Sequence, residues 1–229
     1  ANMHWSGNFI DSDSDDWHNF DGDDETNSFD LEEGDTVSIF LSWNDWVFRT
    51  QDYDLYLDKD SGESLELLDI SSNRQSGFAR PTEYITYTAD STDTYHISIR
   101  KFSATINVMF DLFIYGGSNF EFVVAEGSIA NVADARGVLT VGAINWVTNG
   151  LRSYSSIGPT ADGRIKPDIS GPDGVRTTAY FQPFFGTSAS APHIAGLAAL
   201  LVGSNPSITA AELASLIEST AVDFGDLGK

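Results

Sequence analysis

Gly186-Thr187-Ser188-Ala189-Ser190-Ala191-Pro192-His193-Ile194-Ala195-Gly196 puts a serine where a glycine turn gives way to a run of small and apolar residues. Ala189 to Val202 is apolar nearly all round, which predicts a buried helix, and the run stops at Gly203-Ser204-Asn205-Pro206. A serine hydroxyl is a weak nucleophile until a base takes its proton and a donor stabilises the oxyanion it creates. A helix N-terminus meets part of the second need, because its first N–H groups are unpaired and its dipole favours negative charge. The stretch reads as half of a nucleophilic site. The plainer role for Ser188 is that of a helix cap, which serine fills well without any chemistry.

Outward from this stretch, residues 126–229 read as α/β. Gly137-Val138-Leu139-Thr140-Val141-Gly142-Ala143-Ile144 is a nearly continuous apolar run, as expected of a strand covered on both faces. A loop-rich section from Asn149 to Phe185 holds four of the seven prolines. Thr209-Ala210-Ala211-Glu212 is a capping box opening an amphipathic helix through Leu213, Leu216 and Ile217. One central strand and two helices leave most of an α/β sheet unaccounted for.

Residues 1–125 differ. β-branched and aromatic runs recur at Thr36–Trp43, Tyr53–Leu57, Tyr84–Thr88, Tyr95–Arg100, Phe110–Tyr115 and Phe120–Val124, with turn formers such as Lys59-Asp60-Ser61-Gly62-Glu63 and Gly116-Gly117-Ser118-Asn119 between them. Tyr95-His96-Ile97-Ser98-Ile99 alternates apolar and polar faces. Short strands with regular turns predict an antiparallel, jelly-roll-like β-sandwich over 1–125. The overall class is therefore α+β, with the sandwich followed by part of an α/β domain over 126–229.

The net charge of −22 is uneven: the first 35 residues hold 12 acids and no Lys or Arg, whereas residues 126–229 hold nine acids and six bases. Nucleic-acid binding is disfavoured, since phosphate contacts need a basic face. No apolar run is long enough for a membrane span. The absence of cysteine excludes disulfides, thiolate catalysis and Cys-ligated zinc. Asp11-Ser12-Asp13-Ser14-Asp15-Asp16-Trp17 brings Asp11, Asp13 and Asp15 to alternate positions, the start of a calcium loop. It departs from one at Asp16, where a glycine is wanted, and at the twelfth position, which lacks Glu. The alternative is a solvated acidic loop.

Gly186-Thr187-Ser188 with Ala191-Pro192-His193-Ile194-Ala195-Gly196 resembles the nucleophile motif of the subtilisin-like serine peptidases. Ala135 to Ala143 is similar to that family's strand ending in Val-Gly-Ala. Tyr154-Ser155-Ser156-Ile157-Gly158-Pro159-Thr160 with Lys166-Pro167-Asp168 resembles its Phe-Ser-Ser-x-Gly-Pro and Lys-Pro-Asp loop, and Leu200 to Asp226 its closing helices. The resemblance implies Ser188 as the acylated nucleophile, its own N–H as one oxyanion donor, protein or peptide substrates, and a secreted enzyme. His193 is then a packing residue and not the base. The Asp-Thr-Gly, His-Gly-Thr-His and Ala-Ala-Gly-Asn segments of such a peptidase are absent from this sequence. The expectation is an excerpt, inactive alone, whose partner is the N-terminal part of the catalytic domain. Ala1-Asn2-Met3-His4-Trp5 would follow the missing Asn, and Asp223–Lys229 would stop before the domain's last segment.

Gln51-Asp52-Tyr53-Asp54-Leu55-Tyr56-Leu57 is similar to a strand of the prepeptidase-C-terminal β-sandwich, with Asp52 and Asp54 on one face. Trp43, Trp46 and Phe48 are expected in the core, the alternative being a substrate or carbohydrate site. Two other readings remain open. One makes the sandwich a calcium-dependent binding or docking module on a non-catalytic subtilase remnant; the other is a degenerate peptidase homologue with structural duties.

Overall fold

A computed structural model describes residues 2–62 and 64–224. The chain divides into two compact units, residues 2–124 and residues from 125 on. Ala1 and residues 225–229, and with them the ends of the two terminal stretches read above, lie outside the described residues.

The first unit contains β1 (His4–Asn8), β2 (Asn27–Leu31), β3 (Thr36–Trp43), β4 (Asp52–Asp60), β5 (Leu65–Ser71), β6 (Thr82–Thr88), β7 (Asp93–Ser103) and β8 (Met109–Tyr115). They form two four-stranded sheets, ordered β1-β8-β3-β6 and β2-β7-β4-β5, and every pairing is antiparallel. Alternation dictates the packing: Val37, Ile39, Leu41 and Trp43 of β3 point one way and are buried. They join Tyr53, Leu55 and Leu57 of β4 and Tyr95, Ile97 and Ile99 of β7 in one apolar core. Trp43 also donates its indole N–H to the Gln51 carbonyl at 3.0 Å, which satisfies the buried ring's polar atom.

Two expectations are corrected here. Phe120–Val124 is not a strand. The Asn27 side chain takes the ladder's place, accepting from the Phe122 N–H and donating to the Phe122 carbonyl, each at 3.0 Å. Trp46 and Phe48 are exposed rather than in the core, because the β3–β4 connection turns outward there, held by Asp45 on the Thr50 and Gln51 N–H groups. Asp52 and Asp54, placed opposite Tyr53 and Leu55, are themselves buried.

His18 is fully buried among Trp5, Phe9, Phe20 and Phe110. Burial pushes its pKa from 6.5 down to about 4. Between those values the unfolded chain binds a proton that the folded chain refuses, so His18's contribution to stability is present above pH 6.5 and is lost as pH falls toward 4. Asp54 works in the opposite direction: burial first, then the charges of Asp52 and Glu83, raise it from 3.8 to about 6. An NMR titration of the His18 ring should show a midpoint near 4; a midpoint near 6.5 would contradict the burial.

The second unit has a parallel pair, β9 (Val141–Asn145) and β10 (Ile169–Asp173), and a hairpin of β11 (Val175–Thr177) and β12 (Tyr180–Phe184). Two helices follow, α1 (Thr187–Ser204) and α2 (Ala210–Thr220). The strand predicted from Gly137 begins only at Val141, because the polar groups of Thr140 are bound outside the ladder. Its N–H donates to Asp168 Oδ2 at 2.6 Å and its hydroxyl to the Ala133 carbonyl at 2.5 Å. The capping box on α2 forms: Thr209 N–H donates to Glu212 Oε2 at 2.9 Å and Thr209 Oγ1 accepts from the Glu212 N–H at 3.3 Å.

The buried helix predicted from Ala189 to Val202 forms, but it is not buried. Only Ala189, Ser190 and Ile194 are covered, while Leu197 and Leu200 are 42% and 75% exposed. Among the described residues from 125 on, the buried apolar side chains are Ala143, Ala189, Ile194 and Ile217. β9, β10 and α2 pack on α1 and leave the rest of its apolar circumference open.

Candidate active site

Ser188 is the second residue of α1, and Gly186 is the N-cap. No side chain caps the helix, so the capping role open to Ser188 from sequence is not the one it fills. Gly186 has φ 109°, a conformation that L side chains rarely adopt, and this lets the chain turn sharply from β12 into α1. The first bonded N–H groups are those of Ala189 and Ser190, both donating to the Gly186 carbonyl at 2.8 and 3.4 Å. The Thr187 and Ser188 N–H groups therefore point out of the helix end with no acceptor among the described residues. The Ser188 side chain is exposed. A free N–H beside a free hydroxyl at a positive helix terminus is the local arrangement an oxyanion needs.

The approach of α1 to the sheet depends on Gly171 in β10. A Cβ there would lie 2.7 Å from the Ser190 carbonyl oxygen, so any larger residue would push α1 off the strand. Ser190 is fully buried and donates its hydroxyl to the Pro172 carbonyl at 3.3 Å, tying the same two elements together.

Asp173, at the end of β10, anchors the turn from below. It is 0% exposed and its Oδ1 accepts from the Gly186 N–H at 2.6 Å. Oδ2 accepts from Arg152 Nε at 2.7 Å and from the Tyr154 hydroxyl. Burial raises its pKa, but Tyr154, the Gly186 and Gly174 N–H groups and Arg152 outweigh that and hold it below the usual carboxylate range. Sequence reading missed this residue. The signal lay in Gly171-Pro172-Asp173-Gly174, an acid enclosed by turn formers just before the serine loop.

No base stands beside Ser188 among the described residues. His193 points back into its own helix, its Nδ1 donating to the Ala189 carbonyl at 2.7 Å. His4 Nδ1 bonds the Val124 carbonyl at 2.7 Å, His18 is enclosed by aromatic rings, and His96 Nδ1 lies 3.4 Å from the Thr26 hydroxyl. All three are committed inside the first unit.

The chain matches the Subtilase family over residues 74–229. It belongs to the subtilase family. This subtilase is 35% identical over 121 residues to Bacillopeptidase F of Bacillus subtilis (strain 168), covering 51% of this chain and 8% of that protein. It is 30% identical over 102 residues to Subtilisin DY of Bacillus licheniformis, covering 44% of this chain and 36% of that protein. The structure of the Clostridium perfringens CspB protease superposes with a TM-score of 0.62 and 17% identity, covering 100% of this chain and 53% of the protease. That similarity speaks to the fold. The subtilase chain thus spans well under half of these two sequence relatives and about half of the CspB protease.

The three predicted metal ligands do converge. Asp11, Asp13 and Asp15 offer carboxylate oxygens that all lie within 4.8 Å of one another. Asp16, standing where a glycine is wanted, adopts φ 75° and so supplies the left-handed turn itself. Part of the site is already in use: Asp11 accepts from the Ser14, Asp15 and Asp16 N–H groups at 2.7, 3.2 and 3.2 Å. Lys101 Nζ lies 3.2 Å from Asp11 and 2.7 Å from Asp16. Burial raises the Asp11 pKa, and these hydrogen bonds, led by Lys101, bring it below the ordinary value. Glu25 is raised, first by burial and then by Asp15, Asp13 and Asp11. Asp11, Asp13 and Asp15 thus face one another with the single ammonium of Lys101 beside Asp11.

Proposed function

We propose that this chain carries the nucleophile of a secreted subtilisin-like serine endopeptidase, with the two-sheet unit a jelly-roll-like insertion of the prepeptidase-C-terminal kind. The observation that carries the reading is Ser188 itself. Its free hydroxyl and N–H open a helix that is apolar on every face yet uncovered, as if built for the interior of a larger α/β domain. In the reaction, Ser188 Oγ attacks a peptide carbonyl while a histidine outside this chain takes its proton. The Ser188 N–H holds the developing oxyanion, and the histidine then protonates the leaving amine before water releases the acyl group. A second oxyanion donor and the acid that orients the histidine also come from outside the chain. By itself the chain is inactive.

A fluorophosphonate probe tests this reading. The complete gene product should be labelled at Ser188 and its Ser188→Ala variant should not, while this chain alone stays unlabelled. A folded complete product that resists the probe would support a degenerate, structural homologue instead.

The convergence of Asp11, Asp13 and Asp15, with Glu25 beside them, favours a second role: calcium bound at this loop stabilises the first unit. Calcium should raise the melting temperature and a chelator reverse the rise. An Asp13→Asn variant should respond less. A melt indifferent to both additions would leave a solvated acidic loop.

A further inference from the structure

A second set of oxygens in the first unit is left without donors. Asp52, at the start of β4, is 3% exposed and its Oδ1 has no hydrogen-bond partner. Gln75 is 2% exposed and its Oε1 likewise has none. Asp54, 6% exposed, makes no hydrogen bond among the described residues. Buried acceptors of this kind are rare, because each gives up its hydration with nothing in return.

The three belong to one cluster. The Gln75 N–H donates to Asp52, and the charges of Asp52, Asp54 and Glu83 act on one another. Glu83 needs nothing more: it accepts from the Ser71 hydroxyl, the Asn73 N–H at 2.8 Å, Asn73 Nδ2 at 2.7 Å and Gln75 Nε2 at 2.8 Å. That last bond fixes the Gln75 amide, since flipping it would set Oε1 against a carboxylate. Gln75 is thereby held at both ends with its carbonyl oxygen free. Arg74 and Arg100 offset part of the charge on Asp52 and Asp54, yet neither supplies a hydrogen bond. What remains is Asp52 Oδ1 and Gln75 Oε1, both buried without a donor, and the Asp54 carboxylate on the same strand face.

We propose that Asp52, Asp54 and Gln75 form a cation site for calcium, distinct from the Asp11–Asp15 loop. Oxygen-only ligation is what hard cations demand, and calcium tolerates an irregular mixture of carboxylate and amide oxygens, with water filling the remaining positions. Two carboxylates balance its charge. The site does not depend on the protease reading, because all of its residues lie in the two-sheet unit.

The test is calcium titration of the full chain by calorimetry, beside melts in chelator and in calcium. An Asp13→Asn, Asp15→Asn double variant, blunted in the surface loop, should still bind about one calcium ion per chain. Adding Asp54→Asn should abolish that binding and the accompanying rise in melting temperature. Without calcium, Asp54→Asn should melt higher than the parent, since it removes an unpaired buried charge. Gln75→Ala should weaken binding at least about tenfold while Asp52 and Asp54 remain. Failure of the double variant to bind calcium, or binding unchanged by Asp54→Asn and by Gln75→Ala, would overturn the proposal and leave ordered water as the occupant. If Asp54→Asn does not fold, Gln75→Ala decides the question alone.

Discussion

In a complete peptidase of the kind proposed above, Ser188→Ala should lower kcat by about 10⁶-fold, because a catalytic triad acts as a unit and removing its nucleophile costs nearly as much as removing all of it. The melting temperature should hardly move. Ser188 is exposed, it caps nothing, and alanine is the better helix former. That combination separates a nucleophile from a structural serine: a structural residue would lose stability, and activity would follow. Peptide hydrolysis measured beside a thermal melt reads both. A fall of less than about tenfold would remove Ser188 from the chemistry.

What the sequence made legible follows from how local each signal is. The run Thr36–Trp43 became β3 to the residue because a strict two-residue period admits one placement of its apolar face. Thr209 and Glu212 formed their capping box for a similar reason, since both partners lie within one turn. β1, β2 and β5 were missed, as were β10, β11 and β12 within the stretch read as loop-rich. β1 and β2 are buried by partner strands far along the chain, and β5 sits at a sheet edge beside β4 with its leucines half out. The helix after Ser188 was legible in length but not in environment. Its composition reports the interior it is made for, and the described residues provide only one side of that interior.

The polar sites divide in the same way. Asp11, Asp13 and Asp15 converge because they share one short loop, so their spacing could be read directly. Asp52 and Asp54 could be placed on one face of a strand, but nothing local says that the face is covered. The cover comes from Gln75 and Glu83, on the segment between β5 and β6 and on β6 itself. Asp173 is the extreme case. Its partners Arg152, Tyr154 and Gly186 lie on both sides of it in sequence, and no periodicity links them.

Asp173→Ala should cost about 3 kcal/mol of stability in the second unit, toward the lower end of what losing one partner of a buried ion pair costs. The lower end applies because Arg152 is 25% exposed, so water recovers part of its charge. The change also leaves the Gly186 N–H, a half-buried donor, without its acceptor, at the residue that turns the chain into Ser188. Asp173→Asn keeps the shape and one acceptor oxygen and should cost less, about 1–2 kcal/mol. The pH dependence supplies the control. Asp173 has a folded pKa below its ordinary 3.8, so its contribution is present above pH 3.8 and is lost as pH falls through the folded value. The stability gap between parent and Asp173→Asn should therefore be constant near neutrality and close in acid. Denaturant melts of the chain at a series of pH values measure that gap. If it persisted unchanged at pH values below the folded pKa, Asp173 would be contributing packing rather than charge. In a complete peptidase of the proposed kind the same substitution should lower kcat more than it raises KM, because the turn Asp173 fixes would then orient the Ser188 N–H toward an oxyanion that exists only in the transition state.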